Sequence, residues 1–165
     1  MPVLIDGNNL LFAALDADPE RPPSRSVLCL RLGQWARRTG EKVTVVFDGP
    51  TPPDGIARQT SAPAVDVAYS ESVTADEVLA EMIEKDSAAR RLLVVSSDRE
   101  VARAARRRKA RSIRSDAFWA ALLRELARPT PRRIEPREKT EGLSAGDEAD
   151  RWLRELGLDP DRTTR

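Results

Sequence analysis

Four aspartates lie beside the strand-like runs of this sequence, where their carboxylates could act together. Asp6 and Asp48 directly follow the first two runs, Asp98 follows the fourth, and Asp76 opens a helical segment between the third and fourth. Parallel strands end at one edge of a sheet, so we expect the four side chains to converge there. Clustered carboxylates repel and raise each other's pKa, and hard divalent cations relieve this strain. The spacing predicts a Mg²⁺ or Mn²⁺ site.

Each aspartate taken singly also has a structural interpretation. The segment Thr74–Glu77 has the sequence of a helix capping box, and so does Ser97–Glu100. Asp6 and Asp48 each precede a glycine, as in a turn after a strand, with Asn8 or Asn9 then capping the next helix. Caps and turns explain each position alone, whereas a metal site explains why all four share one edge.

The sequence contains no histidine, which narrows the chemistry that it can support. Ser-His-Asp and Cys-His nucleophile pairs, histidine-based phosphodiester cleavage and most zinc sites are excluded. The one cysteine, Cys29, lies in an apolar series and is predicted to be a core thiol. No phosphate-binding loop of the Gly-x-x-x-x-Gly-Lys-[Ser/Thr] type occurs. Polar catalysis must therefore rest on carboxylates.

Strand-like runs alternate with helical segments, as expected of an α/β fold. The predicted strands are Pro2–Ile5, Val43–Phe47, Val65–Tyr69, Leu92–Ser96 and Arg111–Ile113, and the predicted helices are Ser26–Arg38, Ala75–Ser87, Arg99–Arg108 and Asp116–Leu126. Several strands are apolar throughout rather than alternating, which is typical of strands covered on both faces. We therefore expect a doubly wound parallel sheet with helices on both sides.

The organisation of the chain is predicted to be one domain followed by a linker and a short helix. The domain spans 1–128, a polar, proline-containing linker spans 129–145, and an amphipathic helix and tail span 146–165. No apolar run approaches the ~20 residues of a membrane-spanning helix, and the N-terminus lacks a signal-peptide pattern. These features predict a cytoplasmic protein without a membrane partner.

Four motifs resemble those of the YacP-type NYN domain, a group of PIN-like nucleases. They are Ile5-Asp6-Gly7-Asn8-Asn9-Leu10, Val46-Phe47-Asp48-Gly49, Thr74-Ala75-Asp76-Glu77 and Ser96-Ser97-Asp98, and the resemblance covers residues 1–127. It implies a five-stranded parallel sheet of order 3-2-1-4-5 and metal-dependent ribonuclease activity. Some YacP-type members act on messenger RNA at the ribosome, so RNA and the ribosome are the partners that the resemblance implies.

The resemblance also assigns roles to particular residues. Asp6, Asp76 and Asp98 match the metal-binding acids, Asp48 matches an acid of related 5′-nucleases, and Asn9 matches the asparagine of the first motif. The expected catalytic set is Asp6, Asp76, Asp98 and Asn9, the expected metal ligands are Asp6, Asp48, Asp76 and Asp98, and Ser97 and Thr74 are expected to orient them. The sequence departs from the usual Asp-Gly-Tyr-Asn motif because Asn8 replaces the tyrosine. That change puts substrate preference in question more than catalysis.

Positive charge is concentrated just after Asp98. The 28 basic residues comprise 24 arginines and four lysines, and although the net charge is only +1, residues 98–137 carry 13 basic and 5 acidic residues. Arg99, Arg103, Arg106 and Arg107 share a face of the predicted helix and are predicted to bind an RNA backbone. The alternative is a solvated helix face.

Together, these patterns predict a metal-dependent ribonuclease that hydrolyses RNA phosphodiester bonds, and the YacP-type resemblance implies that it cleaves endonucleolytically. The alternative function is a PIN-like module that binds RNA or the ribosome without cleaving RNA. Asp-x-Asp phosphatases and response-regulator receivers fit less well, because Asp6 precedes Gly-Asn-Asn. The sequence does not indicate which RNA is bound or the oligomeric state.

Overall fold

Five parallel strands form one sheet in the computed structural model, which describes residues 1–53 and 62–129. The strands are β1 (Pro2–Asp6), β2 (Lys42–Phe47), β3 (Val65–Tyr69), β4 (Leu93–Val95) and β5 (Arg111–Ile113). Their order is β3-β2-β1-β4-β5, and every neighbouring pair is parallel. The α/β class, the five strands and the order 3-2-1-4-5 are therefore confirmed.

Helices cover both faces of this sheet. They are α1 (Gly7–Ala17), α2 (Arg25–Thr39), α3 (Ala75–Lys85), α4 (Arg99–Arg107) and α5 (Ser115–Ala127), with a short 3₁₀ helix at Ala89–Arg91. Buried residues of α1, α2 and α5 share one core with the sheet, and those of α3 and α4 share the other. This two-sided packing explains the apolar strands. In β1, Val3 and Ile5 enter the first core and Leu4 enters the second.

Helix α1 is not among the helical segments that the sequence predicts. Its first residues, Gly7, Asn8 and Asn9, have low helix propensity and resemble a turn. The structure stabilises the helix through its N-cap, because the side chain of Asp6 accepts a hydrogen bond from the backbone N–H of Asn9. Asp6 is therefore the cap, and the expectation that Asn8 or Asn9 caps this helix is wrong.

Gly7, at the junction of β1 and α1, packs closely against the end of β2. A Cβ atom at this position would lie 2.4 Å from two ring carbons of Phe47 and 2.9 Å from the carbonyl oxygen of Val46. Phe47 is fully buried, so its ring has little room to move. The glycine in the Asp-Gly motif is thus required by close packing next to Asp6.

Other sequence predictions have mixed outcomes. Cys29 is buried in the core, as predicted, and burial raises the pKa of its thiol to about 11. In the described part of the chain, no helix is both long and apolar enough to span a bilayer. Met1–Pro129 forms one unit, whereas the predicted linker beyond Pro129 and the predicted helix and tail at 146–165 lie outside the described residues.

Candidate metal centre and nucleic-acid interface

Asp6 lies at the end of the central strand and is almost completely buried, with 1% of its surface exposed. Three donors hold its carboxylate. Oδ1 accepts the backbone N–H of Asn9 at 3.0 Å, while Oδ2 accepts the Asn9 Nδ2 amide at 2.5 Å and the Ser96 hydroxyl at 3.1 Å. These contacts compensate for burial of the carboxylate and fix its orientation. Asn9 thus holds the Asp6 carboxylate through both its backbone N–H and its side-chain amide.

Asp48 follows β2 and connects the first and third helices. Its Oδ1 accepts the backbone N–H of Ala75 at 2.7 Å, and its Oδ2 accepts the Asn8 side-chain amide at 2.8 Å. The first bond satisfies an N–H in the first turn of α3, which has no partner within the helix. Asp48 therefore has a structural role in addition to any role in binding a cation.

Asp98 caps helix α4. Its Oδ1 accepts the backbone N–H groups of Glu100 and Val101 at 2.6 and 3.2 Å. The predicted capping box at Ser97–Glu100 is therefore wrong in its assignment of the cap, because the cap is one residue later. The carboxylate remains half-buried, which leaves it accessible from the sheet edge.

Asp76 differs from the other three aspartates because its carboxylate has no hydrogen-bond donor within the described residues. Its pKa is raised from 3.8 to about 6, first by partial burial and then by the negative charges of Asp6, Asp98, Asp48 and Glu100, in that order of importance. The charges of the other three aspartates therefore act on Asp76, although burial has the larger effect on its pKa. Asp76 is the group with the most to gain from a cation.

The two residues expected to orient the aspartates have other contacts. Thr74 caps α3 in a complete capping box with Glu77, as the sequence predicted, with hydrogen bonds of 3.2 and 3.1 Å. Ser97 Oγ accepts the backbone N–H of Ser115 at 3.2 Å, at the start of α5. These bonds fix the helices that border the site, and within the described residues neither side chain contacts an aspartate through a hydrogen bond.

Ser96 has no expected role in the sequence analysis, yet it connects two of the four aspartates. Its hydroxyl donates to Asp6 Oδ2 and accepts the backbone N–H of Asp98 at 3.0 Å, and the residue is 5% exposed. The available signal was its position, because it directly follows β4, the neighbour of the central strand β1. Ser96, rather than Ser97, therefore fixes the position of the Asp6 carboxylate relative to the backbone of Asp98.

We expect the Ser96→Ala variant to lose about 1–2 kcal/mol of unfolding free energy, because the Asp98 N–H loses a buried acceptor and Asp6 loses one of its donors. Urea denaturation of the metal-free protein measures this difference. Ser112→Ala is the matched control, since Ser112 is an exposed serine on β5. Equal unfolding free energies for the two variants would contradict the role given to Ser96.

The chemistry of these side chains suits a hard divalent cation. All donors are oxygens, Asp76 has no compensating donor, and the buried Asn8 Oδ1 beside Asp48 also accepts no hydrogen bond in the described part of the chain. Within residues 1–53 and 62–129, no three acidic, cysteine or histidine side chains lie close enough to hold an ion as they stand. The donor set thus fits such an ion, although its side chains do not form a closed cage.

A basic cleft of about 450 Å³ opens directly beside Asp98. Its lining includes Arg99, Arg103 and Arg106 of α4, and Arg114, which follows β5. Arg107, which was expected on the same face, instead forms an ion pair with Glu84 on α3 at 3.4 Å and does not line this cleft. The positive charge nearest the aspartates thus comes from three of the four predicted arginines and from Arg114.

The five-stranded parallel fold is that of a PIN-like protein. The family model of the YacP-like NYN domain matches residues 3–154, and the chain belongs to this family. The match extends beyond residue 127, where the resemblance recognised from the motifs ends. PIN-like families are generally nucleases that use divalent metal ions, which makes ribonuclease activity the general expectation for this chain.

Two solved structures share the fold. The crystal structure of Rae1 (YacP) from Bacillus subtilis has a TM-score of 0.57 and 19% identity, with 95% of this chain and 84% of that chain covered. The crystal structure of a tryptophan-to-leucine mutant of the same protein has a TM-score of 0.55 and 24% identity, with 76% and 78% covered. At these identities the likeness concerns the fold. No protein with a curated description matches the chain.

Proposed function

We propose that this protein is a Mg²⁺- or Mn²⁺-dependent endoribonuclease whose catalytic centre is formed by Asp6, Asp76 and Asp98. The observation that carries the proposal is the Asp76 carboxylate, which is surrounded by negative charge and has no donor in the described residues. Such an arrangement is costly in a purely structural site, and a cation would offset the cost. Strong pKa perturbation in a cleft is also a mark of functional groups.

The side chains would divide the work by their positions. Asp76 and Asp98 would supply charged oxygens to the ion. Hydrogen bonds from Asn9 and Ser96 fix the orientation of the Asp6 carboxylate, which would supply a rigidly held oxygen beside them. A divalent ion in such a site lowers the pKa of a bound water and stabilises negative charge on the scissile phosphate. Asp48 joins this set as a proposed ligand, although both its oxygens accept hydrogen bonds.

The basic cleft would hold the substrate beside this centre. Arg99, Arg103, Arg106 and Arg114 can pair with successive phosphates, and the guanidinium group binds phosphate in a bidentate manner. Contacts of this type position the backbone without reading the bases. RNA is therefore the proposed substrate class. The ribosome is included in the proposal as a partner because the YacP-type resemblance implies it, and the cytoplasm is included as the place of action on the sequence features given above.

A second candidate function is an RNA-binding module without catalytic activity. It is favoured by one observation, namely that Asp6, Asp48 and Asp98 all accept backbone N–H groups as caps do. A chain that retained these acids for folding alone would still bind RNA through the basic cleft. The free carboxylate of Asp76 counts against this candidate, since in the described part of the chain it caps nothing.

Incubation of the purified chain with labelled RNA tests the proposal. We expect cleavage of single-stranded RNA in Mn²⁺ and none in EDTA, with 5′-phosphate ends on the products. A circular RNA of the same sequence should be opened as well, because an endonuclease needs no free end. Binding without cleavage in Mn²⁺ would favour the non-catalytic module, and cleavage of linear RNA alone would overturn the endonucleolytic assignment.

A further inference from the structure

A second group of cations lies at the other end of α4, away from the aspartates. We call it the distal basic cluster, and it consists of Arg90, Arg91, Arg107, Arg108 and Lys109. These side chains surround a depression of about 530 Å³ whose remaining lining is Ser87, Ala88 and Ala89. Five of the eight lining residues are cationic and none is acidic, so the depression itself is strongly positive.

Neighbouring acids neutralise only part of this charge. Glu84 forms ion pairs with Arg107 at 3.4 Å and with Arg108 at 3.7 Å, and Arg108 also donates to the carbonyl oxygen of Asp86 at 2.9 Å. These contacts anchor two members of the cluster to α3. In contrast, Arg90, Arg91 and Lys109 have no ion pair or side-chain hydrogen bond among the described residues. Their charge is available to a ligand.

Helix electrostatics explain only part of the cluster. Cations are favourable at a helix C-terminus, which accounts for Arg107 and Arg108 at the end of α4. Arg90 and Arg91 belong to the 3₁₀ turn before β4, a different element, and both are exposed. Two elements therefore bring unpaired positive charge to one place, where mutual repulsion opposes folding. An anionic ligand would relieve this repulsion.

We infer that the distal basic cluster is a second RNA-docking surface that holds the phosphate backbone at a distance from the cleavage site. Four of its five members are arginines, the side chain that pairs with phosphate in a bidentate manner. The choice of RNA rests on the proposed function, because the basic cleft at Asp98 and this cluster occupy opposite ends of one helix. One strand of RNA can therefore contact both surfaces.

The length of α4 determines how many nucleotides an RNA needs to contact both surfaces. From Arg99 to Arg107 the helix rises about 12 Å at 1.5 Å per residue, which corresponds to about three to four stacked nucleotides at 3.4 Å each. An RNA of about two nucleotides is too short to bridge Arg99 and the distal basic cluster, and an RNA of about 20 nucleotides bridges them. Engagement of both surfaces makes the second contact intramolecular and raises the affinity.

The test compares the R90Q/R91Q variant with the wild-type chain. Fluorescence anisotropy with labelled oligouridylates of about 2 and about 20 nucleotides measures binding over a range of salt. We expect the variant to bind the longer RNA about tenfold more weakly, as loss of a linked contact implies. The salt slope for that RNA should fall by up to about 1.4, which is two contacts at 0.7 each. Affinity for the shorter RNA should not change.

The matched control is R37Q/R124Q, which removes two exposed arginines from α2 and α5 on the opposite face of the sheet. It should leave both affinities near those of the wild type. An unchanged affinity and slope for the longer RNA in R90Q/R91Q would overturn the inference. So would equal weakening by the two double variants, because overall charge would then suffice as an explanation.

Three further outcomes separate this inference from the proposed function and from another class of partner. If the longer RNA binds through the cluster but is not cleaved in Mn²⁺, the docking surface stands and the ribonuclease assignment fails. If RNA is cleaved but R90Q/R91Q binds the longer RNA normally, the ribonuclease assignment stands and the docking surface fails. If poly-L-glutamate displaces the longer RNA as well as unlabelled RNA does, the cluster is not selective for phosphate and the assignment to RNA is overturned.

Discussion

The Asp98→Asn variant is expected to cleave RNA at least about 100-fold more slowly than the wild type, the scale of loss when one electrostatic contact to a transition state is removed. Asparagine is as good a helix N-cap as aspartate, so Glu100 and Val101 keep an acceptor for their N–H groups. The change thus removes a negative charge from the centre while α4 and its arginines remain in place. RNA binding should therefore stay within about twofold of the wild type.

Single-turnover cleavage in Mn²⁺ and anisotropy in EDTA measure the two quantities separately. Asp66→Asn provides a control, because Asp66 is an exposed acid on β3 whose replacement removes the same charge away from the cluster. This control should cleave normally. Turnover by Asp98→Asn close to that of Asp66→Asn would show that Asp98 serves only as a cap.

The second large effect concerns Asp76 and stability without metal. Its pKa is about 6 in the folded chain, against 3.8 for an unperturbed aspartate. The folded state is therefore destabilised at every pH at which Asp76 is ionised in the unfolded chain. The penalty is absent below pH ~4, develops between pH ~4 and ~6, and is complete above that range. After solvent screening of this half-buried group, we expect Asp76→Asn to be more stable than the wild type by about 1 kcal/mol at pH 7 in EDTA.

Divalent ions should reverse this order. An ion that binds only the folded state stabilises it by about 2.7 kcal/mol at 100 times its dissociation constant. The wild type should gain this amount in Mn²⁺, and Asp76→Asn should gain clearly less. Thermal or urea unfolding measures the stability of both proteins in EDTA and in Mn²⁺. Asp66→Asn is the control for the loss of one charge. Equal responses to Mn²⁺ would argue against a cation at Asp76.

Asp76 is a better position for this experiment than Asp6. The Asp6 carboxylate is buried and accepts three hydrogen bonds, two from Asn9 and one from Ser96. Its replacement would disturb the cap of α1 as well as the charge, and the two effects on stability have opposite signs. Asp76 accepts none in the described part of the chain, so its replacement reports on the burial of its charge and on repulsion, without the loss of a hydrogen bond.

The sheet could be predicted well from the sequence because each strand carries its own signal. The run Val43–Phe47 is apolar at nearly every position, which is typical of a strand covered on both faces. Helix α1 was harder to predict, since its start is stabilised by contacts with other elements. Gly7 fits against Phe47, and this close approach leaves no trace in local propensity.

The sequence indicates which aspartates follow strands or open helices at one sheet edge, and it indicates less well what each one contacts. Strand ends and topology place Asp6, Asp48 and Asp98 at one edge, whatever their side chains contact. The contacts themselves depend on distant backbone, as when Asp48 accepts the N–H of Ala75. The cap and cluster interpretations proved compatible, because one carboxylate oxygen can accept a helix N–H while the group keeps its charge.

The link between Asp6 and Ser96 has a consequence for the order of events during synthesis. The two residues are 90 positions apart. Ser96 directly follows β4, and this strand pairs with β1, which Asp6 ends. A nascent chain that ends before β4 contains Asp6, Asp48 and Asp76 but leaves one side of β1 without its neighbour. Such long-range pairing is slow to form. The growing polypeptide should therefore remain without an assembled centre until most of the domain has left the ribosomal tunnel.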